Sequence, residues 1–180
     1  MSLEGSNTHD KSICKACLEG KQHCDPILTK SDVENPRVLH RTYSDVCGPM
    51  ETTACTGYRY FVTFIDAYSH NLVVKLVKTK DKVFALTKSY FERAETITGE
   101  RPNYFHSDGG GEYGLKEFSS YLESKGIHHE KTNAYTPQEN GIAERMNRTL
   151  VEMAWTMLHD VQLPNSYWGD AILYSAHILN

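Results

Sequence analysis

The 180-residue chain lacks any apolar run close to the ~20 residues that a membrane-spanning helix needs, which argues against a membrane protein. Its first segment, MSLEGSNTHDKS, lacks the apolar centre of a secretory signal, so we expect a protein that is not secreted. The chain also lacks an excess of positive charge, with a formal net charge of −4 and a pI of about 6.1. Strong non-specific nucleic-acid binders are usually basic. Nucleic-acid binding would therefore rest on local groups, on metal ions or on parts of the protein outside this chain.

Cysteines are few, odd in number and confined to the first third of the chain. There are five: Cys14, Cys17, Cys24, Cys47 and Cys55. A disulfide scaffold would distribute its cysteines through the fold, so this pattern favours a reducing compartment.

What the chain has is an ordinary globular composition, 39% hydrophobic and 23% charged, which suits one domain with a full core and a small appendage. Residues 1–36 resemble a leader that ends in KSDVENP, and the patterned domain spans residues 37–180. Strand-like and helix-like runs follow in the order β, β, β, α, β, α, β, α, α, with the second and third strands predicted to form an antiparallel hairpin. This order predicts a mixed sheet covered by helices.

A long helix is predicted from Thr136 to about Val161, and it contains the stretch TPQENGIAERMNRTL. Thr136 and Glu139 form a capping box with proline at the first helical position. The predicted core-facing stripe consists of Ile142, Met146, Leu150, Met153, Met157 and Val161. Glu144 lies roughly 160° from the centre of that stripe. By itself this indicates an exposed pair with Arg148 one turn later.

Several other acidic residues stand where predicted strands end. Asp45 ends RVLHRTYSD, and Asp108 follows NYFHS and precedes three glycines. Such positions suit metal binding at a sheet edge, although a turn-forming aspartate is the commoner explanation. Asp66 is expected to have a turn role, and Glu112 is a candidate near-site carboxylate.

The set Asp45, Asp108 and Glu144, with thirty-five residues between the last two, resembles the D-D-E core of retroviral and retrotransposon integrases. The flanking words resemble the Copia-type LTR-retrotransposon integrase in order and spacing: YSDVCGPM, TGYRYFVTFIDAYS, HSDGGGEY and TPQENGIAERMNRTLVEMAWTML. The resemblance covers residues 14–180. It implies a ribonuclease-H-like mixed five-stranded sheet flanked by helices, with the glutamate reaching the two aspartates from a neighbouring helix.

The resemblance also implies a reaction and its partners. Asp45, Asp108 and Glu144 would bind two Mg²⁺ or Mn²⁺ ions, which offset the mutual repulsion of the carboxylates. Water would first trim the 3′ end of the element's DNA, and the new 3′-hydroxyl would then attack target DNA, with no covalent enzyme intermediate. Double-stranded DNA and further copies of the chain are the implied partners. The nucleus and a cytoplasmic virus-like particle are the implied locations.

DNA contacts are predicted close to the catalytic helix. The candidates are Tyr135, Gln138, Asn140, Asn147 and Arg148, and the alternative for Arg148 is the pair with Glu144. Two residues depart from the family pattern: Gly109 stands where asparagine is expected, and Trp155 stands where a basic residue is more usual. The change at Trp155 would weaken DNA binding or mark a contact with a partner.

The Cys14-x-x-Cys17 spacing matches half of a structural zinc site. The resembled family completes it with two upstream histidines, of which only His9 is present, so we expect a truncated remnant of the zinc-binding region. His23 and Cys24 could in principle substitute. The C-terminal basic region of the family is expected to be missing. Two alternatives stay open. One is a non-catalytic, decayed or host-adopted module. The other is a ribonuclease or exonuclease of the same broad fold, which the TPQENG…ER motif disfavours.

Overall fold

The computed structural model describes residues 34–132 and 141–180, which contain five strands and four α-helices. The strands are β1 (Arg41–Cys47), β2 (Tyr60–Asp66), β3 (Leu72–Val77), β4 (Tyr104–Ser107) and β5 (His128–Lys131). The helices are α1 (Val83–Thr98), α2 (Lys116–Lys125), α3 (Gly141–Asp160) and α4 (Trp168–Leu179). This order of element types confirms the prediction. Within the same ranges, no helix is both long enough and apolar enough to cross a membrane.

The five strands form one mixed sheet in the order β3-β2-β1-β4-β5. The β1–β2 and β2–β3 pairs are antiparallel, as the predicted hairpin requires, whereas β1–β4 and β4–β5 are parallel. Because β1 and β4 run in the same direction, their carboxyl ends meet at one edge of the sheet. Ser44 lies opposite Ser107 at that edge.

One face of the sheet is covered by α1 and α2 over an aromatic core. In α1 the buried side chains of Val83, Thr87, Tyr90 and Phe91 recur at helical spacing, and the Tyr90 ring stacks on Phe64 of β2 at 4.5 Å. The helix ends at Gly99, whose φ of 72° is a left-handed conformation that glycine adopts without steric cost. The helix that the predicted order places after the third strand is confirmed.

The opposite face is covered by α3 and α4, and here the predicted stripe of α3 is confirmed only in part: Leu150 is buried, and Ile142 and Met146 are partly buried against the core. The buried residues of α3 are Gly141, Ala143, Asn147, Leu150, Ala154 and Leu158, whereas the prediction had placed Ile142, Met146, Leu150, Met153, Met157 and Val161 in the core. Only Leu150 is common to both sets. Small side chains let the helix lie close to the sheet, so the bulkier residues move to its flanks. By the helical angle, Glu144 then lies roughly 80° from the centre of the buried stripe, at its border instead of opposite to it.

The last helix, α4, is anchored at both ends. The Trp168 indole donates a 2.7 Å hydrogen bond to the Thr52 carbonyl oxygen and is fully buried. At the other end the Asn180 side chain exchanges two 2.8 Å hydrogen bonds with the backbone of Leu72 in β3. These bonds hold α4 beside α3 on the face of the sheet where the acidic residues gather.

Candidate active site

The structure places Asp45 and Asp108 side by side at one edge of the sheet. The register of β1 and β4 ends with Ser44 opposite Ser107; Asp45 is the next residue of β1, and Asp108 directly follows the end of β4. The pKa of Asp45 is raised from 3.8 to about 6, first because burial disfavours its charged form and next because the Asp108 carboxylate repels it. Two acids that the sequence separates by more than sixty residues thus share one environment.

Helix α3 brings two further polar side chains to this edge. The Asn147 side-chain amide donates a 2.8 Å hydrogen bond to Asp45 Oδ2, and Asn147 is only 5% exposed. Glu144 lies about one turn earlier and is exposed, and its negative charge also raises the pKa of Asp45. The three acids predicted from the sequence therefore act on one another electrostatically.

They do not form a closed ligand set. Within residues 34–132 and 141–180, no three His, Cys, Asp or Glu side chains are placed to hold a single metal ion. The arrangement is an adjacent pair of aspartates with a glutamate close enough for its charge to be felt.

Asn147 has a different environment from the one predicted. We expected it to meet DNA phosphates, but its burial leaves little surface for a ligand and its amide is engaged by Asp45. Its Oδ1 is buried without a hydrogen-bond partner among the described residues. The contacts of Asn147 indicate that it orients Asp45.

The glycine-rich turn after β4 gives the site a fourth acid. The Gly110 amide donates a 3.2 Å hydrogen bond to Asp108 Oδ1. A Cβ on Gly110 would lie 2.9 Å from the Glu112 carboxyl carbon and 3.0 Å from Asp108 Oδ1, so glycine leaves the room that the two carboxylates occupy. The Glu112 side chain is 6% exposed and accepts a 3.0 Å bond from Lys80 Nζ. Sequence reasoning named Glu112 but missed Lys80, because only the sheet topology brings the end of β3 here.

Gly109, the departure from the family pattern, is less constrained. Among the described residues, a Cβ there would meet only the Thr132 carbonyl oxygen, at 3.8 Å, which is ordinary contact. Within residues 34–132 and 141–180, space alone therefore does not require glycine at this position.

A layer of polar side chains supports the two aspartates from beneath. The Ser44 hydroxyl is hydrogen-bonded to the buried Tyr113 hydroxyl at 2.9 Å, which ties the turn after β4 to β1. Ser107 Oγ lies 2.9 Å from His129 Nε2 and donates to the Asp108 carbonyl oxygen at 3.1 Å. Burial lowers the pKa of His129 to about 4, so this ring is neutral at physiological pH.

On the other face of β4, His106 links the strands that border the site. Its ring packs 5.2 Å from that of Tyr43, and its Nδ1 and Nε2 lie 3.4 Å from Glu130 Oε2 and 3.1 Å from Thr132 Oγ1. Glu130 also accepts a 3.0 Å bond from Arg41. These contacts hold β1, β4 and β5 in place next to Asp108.

Asp66 lies at the opposite end of the sheet, paired in register with Thr42. Its carboxylate accepts hydrogen bonds from the Leu39 amide at 2.7 Å and from the Ser69 amide and hydroxyl at 2.7 and 2.6 Å. The predicted turn role of Asp66 is confirmed.

The remaining predicted residues are placed unevenly. Arg148 is exposed on α3, and the described residues show no ion pair between it and Glu144. Trp155 is partly buried against the core on the same side of the helix as Glu144, about three turns further on. The capping box at Thr136 and the candidates Tyr135, Gln138, Asn140, Cys14 and Cys17 lie outside the described residues, so those predictions stay predictions.

A mixed five-stranded sheet, with aspartates at the ends of two adjacent central strands and a helix carrying a glutamate alongside, defines the ribonuclease-H-like fold of integrase catalytic cores. The chain is similar to the HTLV-2 integrase catalytic core domain in complex with magnesium in its dimeric form, with a TM-score of 0.57 and 21% identity over 82% of this chain and 90% of that one. It is also similar to a chain of the simian T-cell lymphotropic virus intasome in complex with the PP2A regulatory subunit B56 gamma, with a TM-score of 0.58 and 21% identity over 77% of this chain and 47% of that one. The predicted fold class is confirmed.

The family follows from the sequence profile of the integrase core domain, which matches residues 35–137. The chain belongs to this family. It is 47% identical over 167 residues to the retrovirus-related Pol polyprotein from transposon TNT 1-94 of Nicotiana tabacum, and 31% identical over 177 residues to that from transposon RE2 of Arabidopsis thaliana. These alignments cover 93% and 96% of the chain but 12% of each polyprotein. The predicted resemblance to retrotransposon integrases is confirmed.

Proposed function

We propose that this chain is the catalytic core of a retrotransposon integrase, which processes the 3′ ends of the element's DNA and joins them to target DNA. The observation that carries the proposal is the pair of adjacent aspartates, Asp45 and Asp108, with Glu144 contributing to the raised pKa of Asp45. A carboxyl with a perturbed pKa among other acids at one edge of a sheet is typical of sites that do chemistry.

The donor set suits a hard divalent cation. Carboxylate oxygens are the ligands that Mg²⁺ and Mn²⁺ prefer, and a cation would relieve the repulsion that raises the pKa of Asp45. Asp45, Asp108 and Glu144 are the residues that would hold it. Two such ions would activate an attacking oxygen and stabilise a leaving oxygen in an in-line displacement. The HTLV-2 core that shares this fold is a complex with magnesium, which supports the proposal.

The protein's own residues prepare this edge. Asn147 orients the Asp45 carboxylate by its hydrogen bond, and the Gly110 amide does the same for Asp108. The exposed Arg148, which has no ion pair with Glu144 among the described residues, is available to meet a DNA phosphate beside the acids. Preorganised groups of this kind are the usual source of catalytic stabilisation.

Partners and location follow from the same proposal. Double-stranded DNA is the substrate, and a homo-oligomer is the working form; the HTLV-2 cores are described in dimeric and trimeric forms. We place the protein in the nucleus and in a cytoplasmic virus-like particle. The division into a zinc-region remnant at residues 1–36 and a core at 37–180 belongs to this proposal as well.

A second candidate is a non-catalytic interaction module that retains the integrase fold. The observation that favours it is that no three acids among the described residues form a ligand set for one metal ion. Under this hypothesis, the acids have no effect on DNA chemistry.

The deciding experiment uses a longer Pol segment with the flanking zinc-binding and C-terminal regions, element-end DNA and Mn²⁺. We expect Glu144→Gln to reduce strand joining by about 10³-fold or more, the scale of losing one preorganised charged group. Glu152→Gln is the matched control, because it removes an acid two turns further along α3. Strand joining that survives Glu144→Gln would contradict the proposed role and favour the second candidate.

A further inference from the structure

Lys80 lies at the same edge of the sheet as the acids. It opens the short 3₁₀ segment Lys80–Lys82, three residues after β3 ends at Val77. Val77 pairs with Tyr60 at the start of β2, and the next residue of β2, Phe61, pairs with the last residue of β1. The end of β3 is therefore on the side of the sheet where Asp45 and Asp108 emerge.

A nearly buried carboxylate holds the lysine in place. Lys80 Nζ lies 3.0 Å from Glu112 Oε1, and the two side chains are 44% and 6% exposed. A carboxylate with so little exposure requires a charged or hydrogen-bonding partner. The ammonium carries three donor hydrogens, and Glu112 is its one hydrogen-bond acceptor among the described residues. The result is a cation that is fixed on one side and open to solvent on the other.

The cation is also close to Asp108. The carboxyl groups of Glu112 and Asp108 both lie within 3.0 Å of the Cβ position of Gly110. The hydrogen bond to Glu112, followed by the charges of Glu112 and Asp108, raises the pKa of the Lys80 ammonium. Lys80 is therefore positively charged at every physiological pH.

A cation in this position matters because the chain carries a net charge of −4 and the edge of the sheet beside α3, which we call the cleft, holds Asp45, Asp108 and Glu112. Polyanionic DNA is repelled by such a surface unless fixed cations meet its phosphates. Lysine binds phosphate as a point charge, and an ion pair that orients it in advance reduces the entropy lost on binding. We propose that Lys80, oriented by Glu112, binds a DNA phosphate next to Asp108. This inference rests on the proposed function and adds a substrate contact on the strand side of the cleft, opposite the helix that carries Arg148.

The experiment measures the affinity of the 180-residue chain for a fluorescently labelled DNA duplex as a function of salt concentration, in EDTA so that catalysis has no part. Each phosphate neutralised contributes about 0.9 to the slope of log K against log salt. We expect Lys80→Gln to reduce the magnitude of that slope by about 0.9 and Lys80→Arg to retain it, because arginine supplies a cation at the same place.

The matched control is Lys125→Gln. Lys125 forms a comparable pair with Glu95 at 3.3 Å and is 37% exposed, but it lies between α2 and α1 just before β5 begins, at the opposite end of the sheet. The change in net charge is the same, and we expect the slope to be unchanged. The double variant Lys80→Gln/Glu112→Gln removes the buried charge together with its partner and should show the same loss of slope as Lys80→Gln. Melting temperatures identify any variant that fails to fold.

Two outcomes would overturn the inference. In the first, Lys80→Gln and the control Lys125→Gln have the same salt slope. In the second, Lys80→Gln reduces the slope but Lys80→Arg does not retain the wild-type value. Either outcome would make the Lys80–Glu112 pair purely structural. These results are separable from the test of the proposed function. If Lys80→Gln reduces the salt slope but the protein joins no strands, the proposed catalysis alone is contradicted. If strand joining depends on Glu144 but Lys80→Gln leaves the salt slope unchanged, the Lys80 contact alone is contradicted. A wild-type chain that fails to bind the duplex would contradict the inference.

Discussion

The antiparallel pair β1–β2 carries a buried or partly buried aspartate near each end, and the two aspartates have opposite environments. Asp66 is 2% exposed and accepts three hydrogen bonds of 2.6–2.7 Å from Leu39 and Ser69. Asp45 accepts hydrogen bonds from Asn147 and the Val46 backbone, which only partly offset burial and the charges of Asp108 and Glu144. At one end of the sheet the carboxyl of Asp66 has its hydrogen-bond partners, whereas at the other end Asp45 lies close to other negative charges that its hydrogen bonds do not offset.

This difference separates a structural carboxylate from one placed for binding. Three hydrogen bonds from Leu39 and Ser69 satisfy the buried Asp66 carboxyl within the fold, so Asp66 has a structural role. Ionised Asp45 lowers the free energy of unfolding, and the remaining contacts of the fold offset this destabilisation. A group that destabilises the protein in isolation is typical of a site that is completed by a ligand.

The largest expected effect is on the free energy of unfolding, when asparagine replaces the aspartate at each end of the β1–β2 pair in turn. Asp66→Asn should lower the free energy of unfolding by about 3–5 kcal/mol, because an amide replaces one acceptor with a donor that faces the donors of Leu39 or Ser69. Asp45→Asn should not lower it. Urea denaturation at neutral pH without divalent metal measures both values. Equal losses at the two positions would remove the distinction between them.

The next effect is the pH dependence of Asp45→Asn. The folded-state pKa of Asp45, about 6, is above its ordinary value of 3.8, so the unfolded chain loses this proton at lower pH than the folded protein does. The destabilisation of the wild-type fold by the Asp45 carboxylate is therefore absent below about pH 4. It grows between about pH 4 and 6 and is complete above that, where it lowers the free energy of unfolding by at most about 3 kcal/mol.

We accordingly expect Asp45→Asn to stabilise the metal-free protein by about 1–3 kcal/mol near pH 7.5 and to have no effect near pH 4. Parallel urea titrations of wild type and variant across this range provide the comparison. His129 has the opposite dependence, because its pKa is lowered and its contribution is lost as the pH falls. Taking the difference between wild type and Asp45→Asn at each pH cancels that contribution. A variant that is less stable than wild type at every pH would contradict the assigned environment.

The smallest effect is that of divalent metal on thermal stability. Mg²⁺ or Mn²⁺ should raise the melting temperature of the wild type by about 3 °C, which corresponds to roughly 1 kcal/mol for a domain of this size. Asp45→Asn should lose this shift. Asp66→Asn, although less stable, should retain it. A shift that persists in Asp45→Asn would place the metal away from this edge.

Much of the fold could be predicted from local sequence. The strand-like second and third runs predicted the hairpin of β2 and β3, because the residue pattern of a strand depends on residues close in the chain. The buried face of α3 was predicted only in part for the same reason. Hydrophobicity selected the methionines, but a helix that lies close to a sheet buries its small residues.

In the candidate site, too, local sequence marked some features, whereas others depend on the fold. Asp45, Asp108 and Glu144 were identifiable as acids beside strand ends, glycines or a helix start, and family resemblance grouped them. The Asn147–Asp45 bond joins residues 102 apart and the Lys80–Glu112 bond joins residues 32 apart, and no local pattern marks either. Such contacts depend on which strands are neighbours and on how α3 is rotated.

The sequence by itself determined the types and order of the elements, the family, and the three acids, because each is encoded in local periodicity or in short motifs. The tertiary structure alone decided that Asp45 is left with excess negative charge while Asp66 is satisfied, that Asn147 faces inward, and that Lys80 lies beside Asp108. The physical reason is that charge interactions and burial depend on distances in space, which the parallel pairing of β1 with β4 and the packing of α3 on the sheet establish between residues far apart in the chain.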